Sequence, residues 1–564
     1  MCGIVGIVDF SNNVQVDELS NFTDALAHRG PDGRGVWTHA SRYGFGHRRL
    51  AILDLSDNAA CPFHYTAPDG RSYVLVFNGE IYNFIEIRRE LEQLGHTFRT
   101  TSDTEVLVAA FSYWGAECYL RFNGMWAAAI LNLSTNTVQL CRDRFGVKPL
   151  YYAIYGNRFV FASELKAFLA LTHFPRDLNE ELVPFSISNS QSIEGLTDQT
   201  LFKSVRKLMA GHLIDLSAEG KVTVARWWNT NEHLVQPPQA YGDRVEQFKA
   251  LFLDACRVRM RSDVPIACSF SGGIDSTAVA SSLYHLVRSQ QGIERFAGNS
   301  IRGYLSSFPG EINDETLIAR DAAAELGMPL VESAFQNDYG IDAVFENVWV
   351  MEDLYPTLGV PVIRNYRAIA TSGTKVSIDG HGGDELLCGY AFYLPAPIGE
   401  LNAVLYDQFH TRLLPSILRN YDRCSMQSGI EVRMPFMDYR LVSYAFSIPP
   451  SDKAGNAYTK LILRDAMKDI MPERVRRRRS KIGFNSPLPT LFNHRLNNIL
   501  RLIENSPMWH ENPWWNGREL STRIATMRST RAWIDSDSGF LADLWIKINL
   551  TLWYMLFVDR SFKI

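Results

Sequence analysis

The chain has 564 residues, which is too many for one ordinary hydrophobic core and predicts at least two domains. Its net charge of −4 excludes the broad basic surface that binds nucleic acid or anionic membranes. Its eight cysteines include no CxxC pair, which argues against a zinc site or a disulfide framework and favours a reducing, cytoplasmic compartment.

The N-terminus reads MCGIVGIVDF, a short apolar run that ends at Asp9. It has no basic segment of the kind that begins a signal peptide, and the myristoylation pattern requires Gly, not Cys, after Met. Two interpretations remain. Cys2 is an incidental residue of a first buried strand, or removal of Met1 exposes it as a catalytic N-terminal residue. In the second case its α-amino group, with a reference pKa of ~7.7–8.0, could take the proton of its own thiol.

Residues 1–210 are predicted to form an α+β domain with antiparallel sheets. Runs rich in β-branched and aromatic residues predict strands, and Gly- or Asn-containing turns separate them. The segment 84–95 predicts a helix, because its apolar residues have helical spacing and it ends at a glycine. Residues 211–243 are predicted to be a linker, since 227–243 is polar with paired prolines. The predicted strands are residues 2–8, 73–83, 126–133, 137–141 and 149–164.

Residues 244–564 are predicted to form a doubly wound α/β domain. The runs VPIACSF (264–270) and KVSID (375–379) predict buried strands, and a Gly-rich turn and a helix follow each of them. This order is typical of an open parallel sheet that binds ligands at the carboxyl ends of its strands. After residue 395 the pattern predicts mostly helices. The apolar stretch 541–558 contains an Asp and a Lys, which favours a buried terminal helix over a membrane span.

The motif SGGIDS (271–276) has the composition of a phosphate-binding loop between a strand and a helix. Its glycines let the backbone approach an anion, its serines add hydroxyl donors, and the following helix presents free N–H groups. Asp275 needs a cation between its carboxylate and the phosphates, so we expect it to bind Mg²⁺. Asp384, in GGDE (382–385) after another predicted parallel strand, could reach the same ion. For SGGIDS alone, a Gly-rich turn with a helix cap is the alternative.

These motifs and several others, in the same order, resemble the glutamine-hydrolysing asparagine synthetase family. The SGGIDS loop resembles the pyrophosphate loop of the N-type ATP pyrophosphatases, which form acyl-adenylates and release pyrophosphate. The resemblance implies an N-terminal-nucleophile αββα sandwich followed by a doubly wound ATP-pyrophosphatase domain with added helices. The motifs that carry it are MCGIVG, RGPDG (29–33), GHRRLAILD (46–54), FNGEIYN (77–83), TSDTEV (101–106), RDRFGVKPLYY (142–152), SELKA (163–167), SGGIDS, GGDE, DRCSMQSGIEVRMPFMD (422–438) and RSKIGFNSPL (479–488).

The resemblance implies that the first half is a glutaminase with Cys2 as its nucleophile. Cys2 would attack the side-chain amide of glutamine, form a thioester and release ammonia. The Asn78 side chain and the Gly79 backbone N–H match the family's oxyanion hole. Arg49 matches the residue that binds the α-carboxylate of glutamine, and Asp103 matches the acid that holds its α-amino group. The other implied glutamine-binding residues are Leu50, Ala51, Ile52, Leu53 and Glu80.

The resemblance implies that the second half uses ATP and Mg²⁺ to activate a carboxylate, by default aspartate, as an acyl-AMP. Asp275 and Asp384 would bind Mg²⁺, and Lys460 matches a lysine near the reacting acyl-phosphate. Ammonia would arrive through an internal channel. The implied partners are glutamine, ATP and the carboxylate, and the protein is a candidate homodimer. The implied ATP-binding residues are Phe270, Ser271, Gly272, Gly273, Asp275, Ser276, Asp379 and Gly380.

Two departures from the family pattern concern the acceptor. His381 stands where asparagine synthetases commonly have a glutamate, and it can act as a base but cannot supply a carboxylate's charge. Residues 352–367 lack the Thr-Thr-x-Arg stretch that aspartate-using members often carry, although Arg364 could replace its arginine. An apolar pocket here would favour a less polar carboxylate, which is the alternative to aspartate. Its expected lining residues are Leu354, Tyr355, Leu358 and Val360.

Two interpretations from other classes are also open. A cyclase similar to β-lactam synthetase would keep the adenylating half and lose the glutaminase, whereas a regulatory scaffold would lose both activities. The complete set of glutaminase residues around Cys2 argues against the cyclase. The intact SGGIDS and GGDE loops argue against the scaffold.

Overall fold

The computed structural model describes residues 1–290, 292–298, 301–309, 314–334, 340–455, 458–479 and 488–561. Within these ranges the chain forms an N-terminal half with antiparallel sheets and a C-terminal half with a parallel sheet and many helices. Most of the RSKIGFNSPL motif, residues 480–487, lies outside the described residues.

Antiparallel strands and short helices make up the first half. The strands are β1 (Gly3–Asp9), β2 (Gly33–His39), β3 (Tyr43–Arg49), β4 (Phe63–Thr66), β5 (Ser72–Ile81), β6 (Gly124–Asn132), β7 (Thr137–Arg142), β8 (Tyr151–Tyr155), β9 (Arg158–Ala162), β10 (Val205–Lys207), β11 (His212–Leu216) and β12 (Val222–Arg226). The helices are α1 (Val16–Asp24), α2 (Phe84–Gln93), α3 (Asp103–Trp114), α4 (Cys118–Arg121), α5 (Val183–Ser188) and α6 (Ile193–Leu196).

These strands form two sheets that pack face to face. The strand orders are β10–β8–β9–β1–β3–β2 and β12–β11–β7–β6–β5–β4. Side chains alternate in direction along a strand, so Ile4 and Val8 of β1 share the core between the two sheets with Val76, whereas Val5 and Ile7 belong to the outer core beneath α1. Helices α2 and α3 cover the outer face of the second sheet. This helix–sheet–sheet–helix order confirms the predicted αββα sandwich.

Strands β11 and β12 extend the second sheet past residue 210, where the sequence places the start of the linker. β11 pairs with β7, and β12 pairs with β11 from His212 opposite Arg226 to Leu216 opposite Val222. β12 is a short, largely exposed edge strand, so it lacks the long apolar run that identified the other strands. The sandwich therefore ends at Arg226, and only the residues after it connect the two halves.

A parallel sheet surrounded by helices makes up the second half. The strands are β13 (Ile266–Ser269), β14 (Arg302–Ser307), β15 (Leu330–Ala334), β16 (Val376–Ile378), β17 (Glu431–Arg433), β18 (Ala454–Gly455) and β19 (Tyr458–Thr459). The helices are α7 (Tyr241–Arg259), α8 (Ile274–Ser289), α9 (Thr316–Leu326), α10 (Ile341–Met351), α11 (Val360–Thr371), α12 (Gly383–Leu387), α13 (Leu401–Asp407), α14 (Leu414–Met426), α15 (Tyr439–Ser447), α16 (Leu461–Ala466), α17 (Glu473–Arg476), α18 (Leu488–Ile503), α19 (Pro507–His510), α20 (Gly517–Thr530) and α21 (Ser538–Phe557).

The parallel sheet has the strand order β15–β14–β13–β16–β17. β13 lies beside β16, with Ile266 opposite Val376, and the chain winds outward from these two strands in opposite directions. Ligands of open α/β sheets bind at such a switch point, outside the carboxyl ends of the strands. SGGIDS follows β13 and GGDE follows β16. The sheet thus confirms the predicted doubly wound domain and brings its two Gly-rich loops to one edge.

Helix α21 is the buried terminal helix that the sequence predicts. Among the described residues, Asp535–Phe557 is long and apolar enough to cross a membrane, but 72% of its most apolar window is buried inside the protein. The indole N–H groups of Trp545 and Trp553 donate to the carbonyls of Tyr355 and Glu352 at 3.0 and 2.9 Å. These contacts make α21 part of the core that supports the end of α10.

Buried ion pairs join the two halves. The Arg423 guanidinium of α14 lies 3.2 Å from Glu164 in the first half and 2.9 Å from Glu352 in the second. Arg29 contacts Glu164 at 2.6 Å and Asp422 at 2.9 Å. All five side chains are at most 2% exposed. An unpaired charge at such depth is strongly destabilising, so these residues require the two halves to stay docked.

Replacing Arg423 by Leu should lower the free energy of unfolding by about 3–5 kcal/mol, because Glu164 and Glu352 would lose a cation in a buried site. Denaturant unfolding followed by circular dichroism measures this change. The matched control is Arg477→Leu, whose side chain is 71% exposed and whose loss should leave the unfolding midpoint almost unchanged. An Arg423→Leu protein as stable as the wild type would show that the network does not hold the halves together.

Candidate active sites

The start of β1 brings Cys2 to the side chain of Asn78. The backbone N–H of Cys2 donates to Asn78 Oδ1 at 2.9 Å, and Arg29 Nε donates to the Cys2 carbonyl at 3.0 Å. Asn78 is fully buried, and its Nδ2 has no hydrogen-bond partner among the described residues. A buried donor left over beside a thiol is suited to stabilising an oxyanion.

A small pocket of about 30 Å³ lies beside Cys2 and collects most of the residues implied to bind glutamine. Its lining includes Arg49, Leu50, Ala51, Ile52, Leu53, Gly79, Glu80 and Asp103, together with His47, Cys61 and Ser102. Gly79 has no room for a side chain, because a Cβ there would collide with the carbonyl oxygen of Met125. The segment after β3, the end of β5 and the start of α3 therefore meet at one place.

Arg49 and Asp103 give the pocket a cation and an anion suited to the α-groups of an amino acid. The Arg49 guanidinium is positioned by donating to the Ser56 carbonyl at 2.8 Å. Asp103 Oδ2 accepts the backbone N–H of Ile81 at 2.9 Å, and burial raises the pKa of this carboxyl to about 6. At neutral pH Asp103 is mostly ionised. A ligand with an α-carboxylate and an α-ammonium group would find a partner for each charge.

The thiol of Cys2 needs a base, because burial raises its pKa, although the backbone N–H of Leu50 partly opposes this. His47, which the sequence analysis did not single out, lines the pocket but does not fit that role. Its Nε2 donates to the Phe77 carbonyl at 3.0 Å, and burial lowers the pKa of His47 to about 3. A proton acceptor with so low a pKa is weak at neutral pH. The position of His47 in GHRR, two residues before Arg49, was its only sequence signal.

In the second half the SGGIDS loop connects β13 to α8. Gly272 has a φ of +73°, in the left-handed region that favours glycine, and it packs against the backbone of α9. Ser271 Oγ accepts the N–H of Gly273 at 3.2 Å, and Ser276 Oγ donates to the Gly273 carbonyl at 3.2 Å. The loop residues other than Gly272, from Phe270 to Ser276, line a larger cavity of about 440 Å³.

The carboxylates of Asp275 and Asp384 converge on one cation, the Lys460 ammonium group. Lys460 Nζ contacts Asp275 Oδ2 and lies 2.5 Å from Asp384 Oδ1. Although burial opposes the charged form, these two acids raise the pKa of Lys460. The described residues contain no cluster of three or more metal-binding side chains. Two carboxylates nevertheless fit Mg²⁺, which proteins commonly bind through one or two carboxylates plus the phosphates of a nucleotide.

Asp379 and Gly380 determine how closely the strands and loops of this site pack together. The Asp379 carboxylate accepts the Ser269 N–H at 3.1 Å and the Tyr366 hydroxyl at 2.6 Å, so it braces β13 against α11. A Cβ on Gly380 would lie 2.8 Å from the Asp275 carbonyl carbon. Both residues line the cavity, and the absence of a side chain at Gly380 lets the two loops approach each other.

An apolar wall faces the phosphate loop across the cavity. His381 lies in this wall, with its ring centroid 3.7 Å from that of Tyr421. Its Nδ1 is 4.0 Å from Asp379 Oδ2, and burial lowers the pKa of His381, so the ring is neutral at neutral pH. The other members of the wall are Tyr355, Val362, Leu413, Ile417 and Tyr421.

Four residues of 352–367 were expected to line the acceptor pocket, and the prediction was right for one of them and wrong for three. Tyr355 lines the cavity, whereas Leu354, Leu358 and Val360 are buried in the core with α18 and α21. Arg364, considered as a replacement for a substrate-binding arginine, is not among the lining residues. The apolar residues of this segment divide between the core and the cavity, and Val362 belongs to the cavity side.

Comparison with known proteins agrees with this two-site architecture. Residues 1–228 match the model of a glutamine amidotransferase domain, and residues 247–403 and 398–545 match that of asparagine synthase. The chain belongs to the asparagine synthase family. Asparagine synthetase [glutamine-hydrolyzing] 1 of Bacillus subtilis is 27% identical over 89% of this chain and 90% of its own length. Amidase chry2 of Gibberella zeae is 29% identical over 68% of this chain and 57% of its own.

Among solved structures, the glutamine phosphoribosylpyrophosphate amidotransferase of Bacillus subtilis is similar at 17% identity and a TM-score of 0.31, covering 67% of this chain and 75% of its own. By these sequence matches, this member of the asparagine synthase family is a ligase of the glutamine-hydrolysing type. Its amidotransferase match ends at residue 228, close to the end of β12.

Several cavity residues of this family member were not singled out from the sequence. Arg478 and Arg479 come from the basic run RVRRRRSK (474–481), and runs of like charge are more often solvated than part of a site. Arg464, one turn after Lys460, also lines the cavity. Gln191 reaches the lining from the first half, which shows that both halves shape this site.

Gly383→Ala should weaken the binding of Mg²⁺–ATP about tenfold or more, because its Cβ would lie 2.6 Å from Asp275 Oδ1 and displace that carboxylate. Titration calorimetry with Mg²⁺–ATP measures the effect without any acceptor. Gly399→Ala is the matched control, since a Cβ there has no heavy atom within 4 Å. Unchanged affinity in Gly383→Ala would mean that Asp275 does not contribute to nucleotide binding.

Proposed function

We propose that this protein is a glutamine-dependent ligase that amidates a carboxylic acid after activating it as an acyl-AMP. The observation that carries the proposal is that one chain holds a thiol pocket lined by Arg49 and Asp103 and a phosphate loop with two converging carboxylates. Glutamine, ATP and the acid are the substrates. The amide, glutamate, AMP and pyrophosphate are the products.

In the proposed glutaminase step, removal of Met1 frees the α-amine of Cys2, which takes the thiol proton. The thiolate attacks the amide carbon of glutamine, and the resulting oxyanion is stabilised by Asn78 Nδ2 and the N–H of Gly79. Collapse of this intermediate expels ammonia, which carries the proton away from the amine, and leaves a thioester. Water then hydrolyses the thioester to glutamate and restores the thiol. Arg49 and Asp103 hold the α-groups throughout.

We propose that ammonia leaves this pocket toward Glu431 of β17. The α-ammonium group of Met1 contacts Glu431 Oε2 at 2.9 Å, and both groups are fully buried. An α-ammonium group is chemically close to ammonium, so this carboxylate is suited to receive the nitrogen that the glutaminase releases. Glu80 lines the pocket and lies 3.4 Å from Arg433 of the same strand β17, and burial raises the pKa of its carboxyl group.

In the proposed synthetase step, the SGGIDS loop holds the phosphates of ATP, and Asp275 and Asp384 would hold Mg²⁺. When bound, this ion neutralises phosphate charge and favours the departure of pyrophosphate. Lys460 places a further positive charge beside the same carboxylates. Ammonia attacks the acyl carbon and displaces AMP, and the neutral ring of His381 can accept the proton that the new amide loses.

We further propose that the acceptor has a less polar body than aspartate. The apolar wall offers Tyr355, Val362 and Ile417, and an α-ammonium or α-carboxylate placed against them would be a costly unpaired charge. Two basic residues of the lining already have acidic partners, Lys460 in Asp275 and Arg478 in Glu315, and Arg464 donates to the carbonyls of Thr459 and Arg476. Aspartate remains the second candidate, because the named relatives are asparagine synthetases.

Cys2→Ala should abolish glutamate release from glutamine, because it removes the proposed nucleophile. Amide formation from ammonium chloride should persist, since the phosphate loop and its carboxylates lie in the other half. Glutamate release and ammonium-supported pyrophosphate release are measured on the same preparation. Cys61→Ala is the matched control, as Cys61 lines the same pocket without a proposed role. Glutamine hydrolysis by the Cys2→Ala protein would refute the nucleophile assignment.

A screen of carboxylic acids, read out as ATP-dependent pyrophosphate release, should rank apolar acids such as benzoate or hexanoate above aspartate. We expect kcat/KM to differ by about tenfold or more, which corresponds to about 1.4 kcal/mol of transition-state binding. The difference arises because only the apolar acids match the wall without unpaired charges.

Two variants test whether the apolar wall causes this preference. Ile417→Asn places an amide in the wall and should raise KM for the best apolar acid. Ile398→Asn, at a position 56% exposed and outside the cavity lining, should not. If aspartate proves the best acceptor, the proposed preference is wrong and the protein is an asparagine synthetase in its substrate as well as its family.

A further inference from the structure

A second cavity, of about 500 Å³, lies at the joint between the two halves and belongs to neither site described above. Five segments line it. They are the RDRFG loop at the end of β7 (142–146), residues 194–195 of α6, residues 209–212 before and at the start of β11, residues 226–231 at and after the end of β12, and the region around the π-helix Gln408–Arg412. Cavities of this size hold small organic ligands in many proteins. The proposed amidation reaction uses none of these residues.

The lining of this cavity has more positive than negative charge. Arg142 donates to the carbonyls of Lys148, Leu208 and Gly146, so its guanidinium is bonded to neutral oxygens. The single acid of the described lining, Glu194, lies 3.6 Å from Arg142 but is shared with Lys207 at 3.3 Å.

Arg144 and Arg226 contribute the remaining positive charges. Both donate to backbone carbonyls, Arg144 to that of Phe122 and Arg226 Nε to that of Trp228 at 2.8 Å. The Nε of Arg144 is buried and has no hydrogen-bond partner among the described residues. The described lining therefore holds three guanidinium groups and one carboxylate, which leaves it with an excess of positive charge suited to an anion.

Aromatic and imidazole rings complete the lining. His410 stacks near Tyr406, with ring centroids 4.3 Å apart, and its Nε2 is buried without a partner in the described part of the chain. His212 Nδ1 donates to the Ala210 carbonyl at 2.8 Å, which leaves its Nε2 as an acceptor. Phe145 adds an apolar surface. Polar groups at one side and flat rings at another suit a compact organic molecule more than a bare ion.

We propose that this cavity binds a small organic oxyanion, a carboxylate or phosphate ester. Its binding would link the contact between the two halves to the 440 Å³ cavity at the phosphate loop, here called the synthetase cavity. Arg226 is the principal charged partner, and His410 supplies a neutral hydrogen bond. The N–H of Leu413 donates to the Gln408 carbonyl at 3.0 Å, and Leu413, Ile417 and Tyr421 then line the synthetase cavity. His410 lies on the π-helix that leads into α14, and Pro415 of α14 lines the second cavity, so a bound anion would lie beside the helix that carries the apolar wall.

The two halves are in contact at this joint, so a ligand bound there could shift one half relative to the other. Gly195 of α6 packs directly on the Thr411 carbonyl, and a Cβ there would collide with it. The π-helix is also a departure from regular helical geometry, which occurs frequently at functional sites. A ligand in the cavity would thus favour one arrangement of the π-helix relative to α6.

Titration calorimetry of the full-length protein tests the site, with inorganic phosphate and citrate as separate probes. Saturating α,β-methylene-ATP occupies the phosphate loop, so that phosphate cannot report binding there. We expect one-to-one binding of at least one probe, weakened about tenfold or more by Arg226→Leu and by His410→Leu, since each removes a hydrogen bond to the anion. Arg89→Leu, whose side chain is 63% exposed, is the matched control and should bind as the wild type does.

The two probes separate the two possible chemical classes, because preferential binding of phosphate indicates a phosphate ester and preferential binding of citrate a carboxylate. Absence of binding by either probe, or equal binding by Arg226→Leu and wild type, would overturn the proposal. A separate titration with α,β-methylene-ATP alone reports independently on the proposed function. The link to the synthetase cavity, which rests on that function, predicts a change of about fivefold or more in the acceptor KM at saturating probe. An unchanged KM would refute the link.

Discussion

The buried charges between the two halves are the constraint on which the rest of the structure depends. Arg423 lies between Glu164 and Glu352, one acid from each half, and none of the three side chains is more than 1% exposed. Separating the halves would require each of these charges to be hydrated anew, whereas docking without any one of them would leave its partner unpaired. The motifs SELKA and DRCSM, which lie far apart in the sequence, are therefore two sides of one interaction.

The same network positions both sites. Arg29 contacts Asp422 at 2.9 Å with one end of its guanidinium and holds the carbonyl of Cys2 at 3.0 Å with its Nε. Asp422 belongs to α14, which also carries Ile417 and Tyr421 of the apolar wall. The glutaminase strand and the synthetase wall are thus fixed to each other through one arginine. In the proposed reaction ammonia passes between these two sites, and such a connection would hold them at a constant distance.

Sequence patterns predicted those features of the sites that depend on the order of neighbouring residues along the chain. Asp275 and Asp384 could be placed at one site because each follows a buried parallel strand, and neighbouring strands end at the same edge. The lining of the acceptor cavity depends instead on which face of α11 and its preceding loop turns inward. Leu354 and Tyr355 are adjacent and both apolar, yet one packs under α21 and the other faces the cavity. That choice is made by α21, almost two hundred residues away, which no local pattern contains.

His381 and the apolar wall are best understood together. A carboxylate at this position would be a third acid near Asp379 and Asp384, on a wall where Tyr421 and Ile417 offer no compensating charge. Such a group would need either a cation or a charged substrate to remain ionised. A neutral imidazole keeps a hydrogen-bonding nitrogen at the same place and removes this requirement. The neutral residue at 381 and the apolar cavity residues of 352–367 therefore both agree with the proposed acceptor, which brings no charge of its own to the wall.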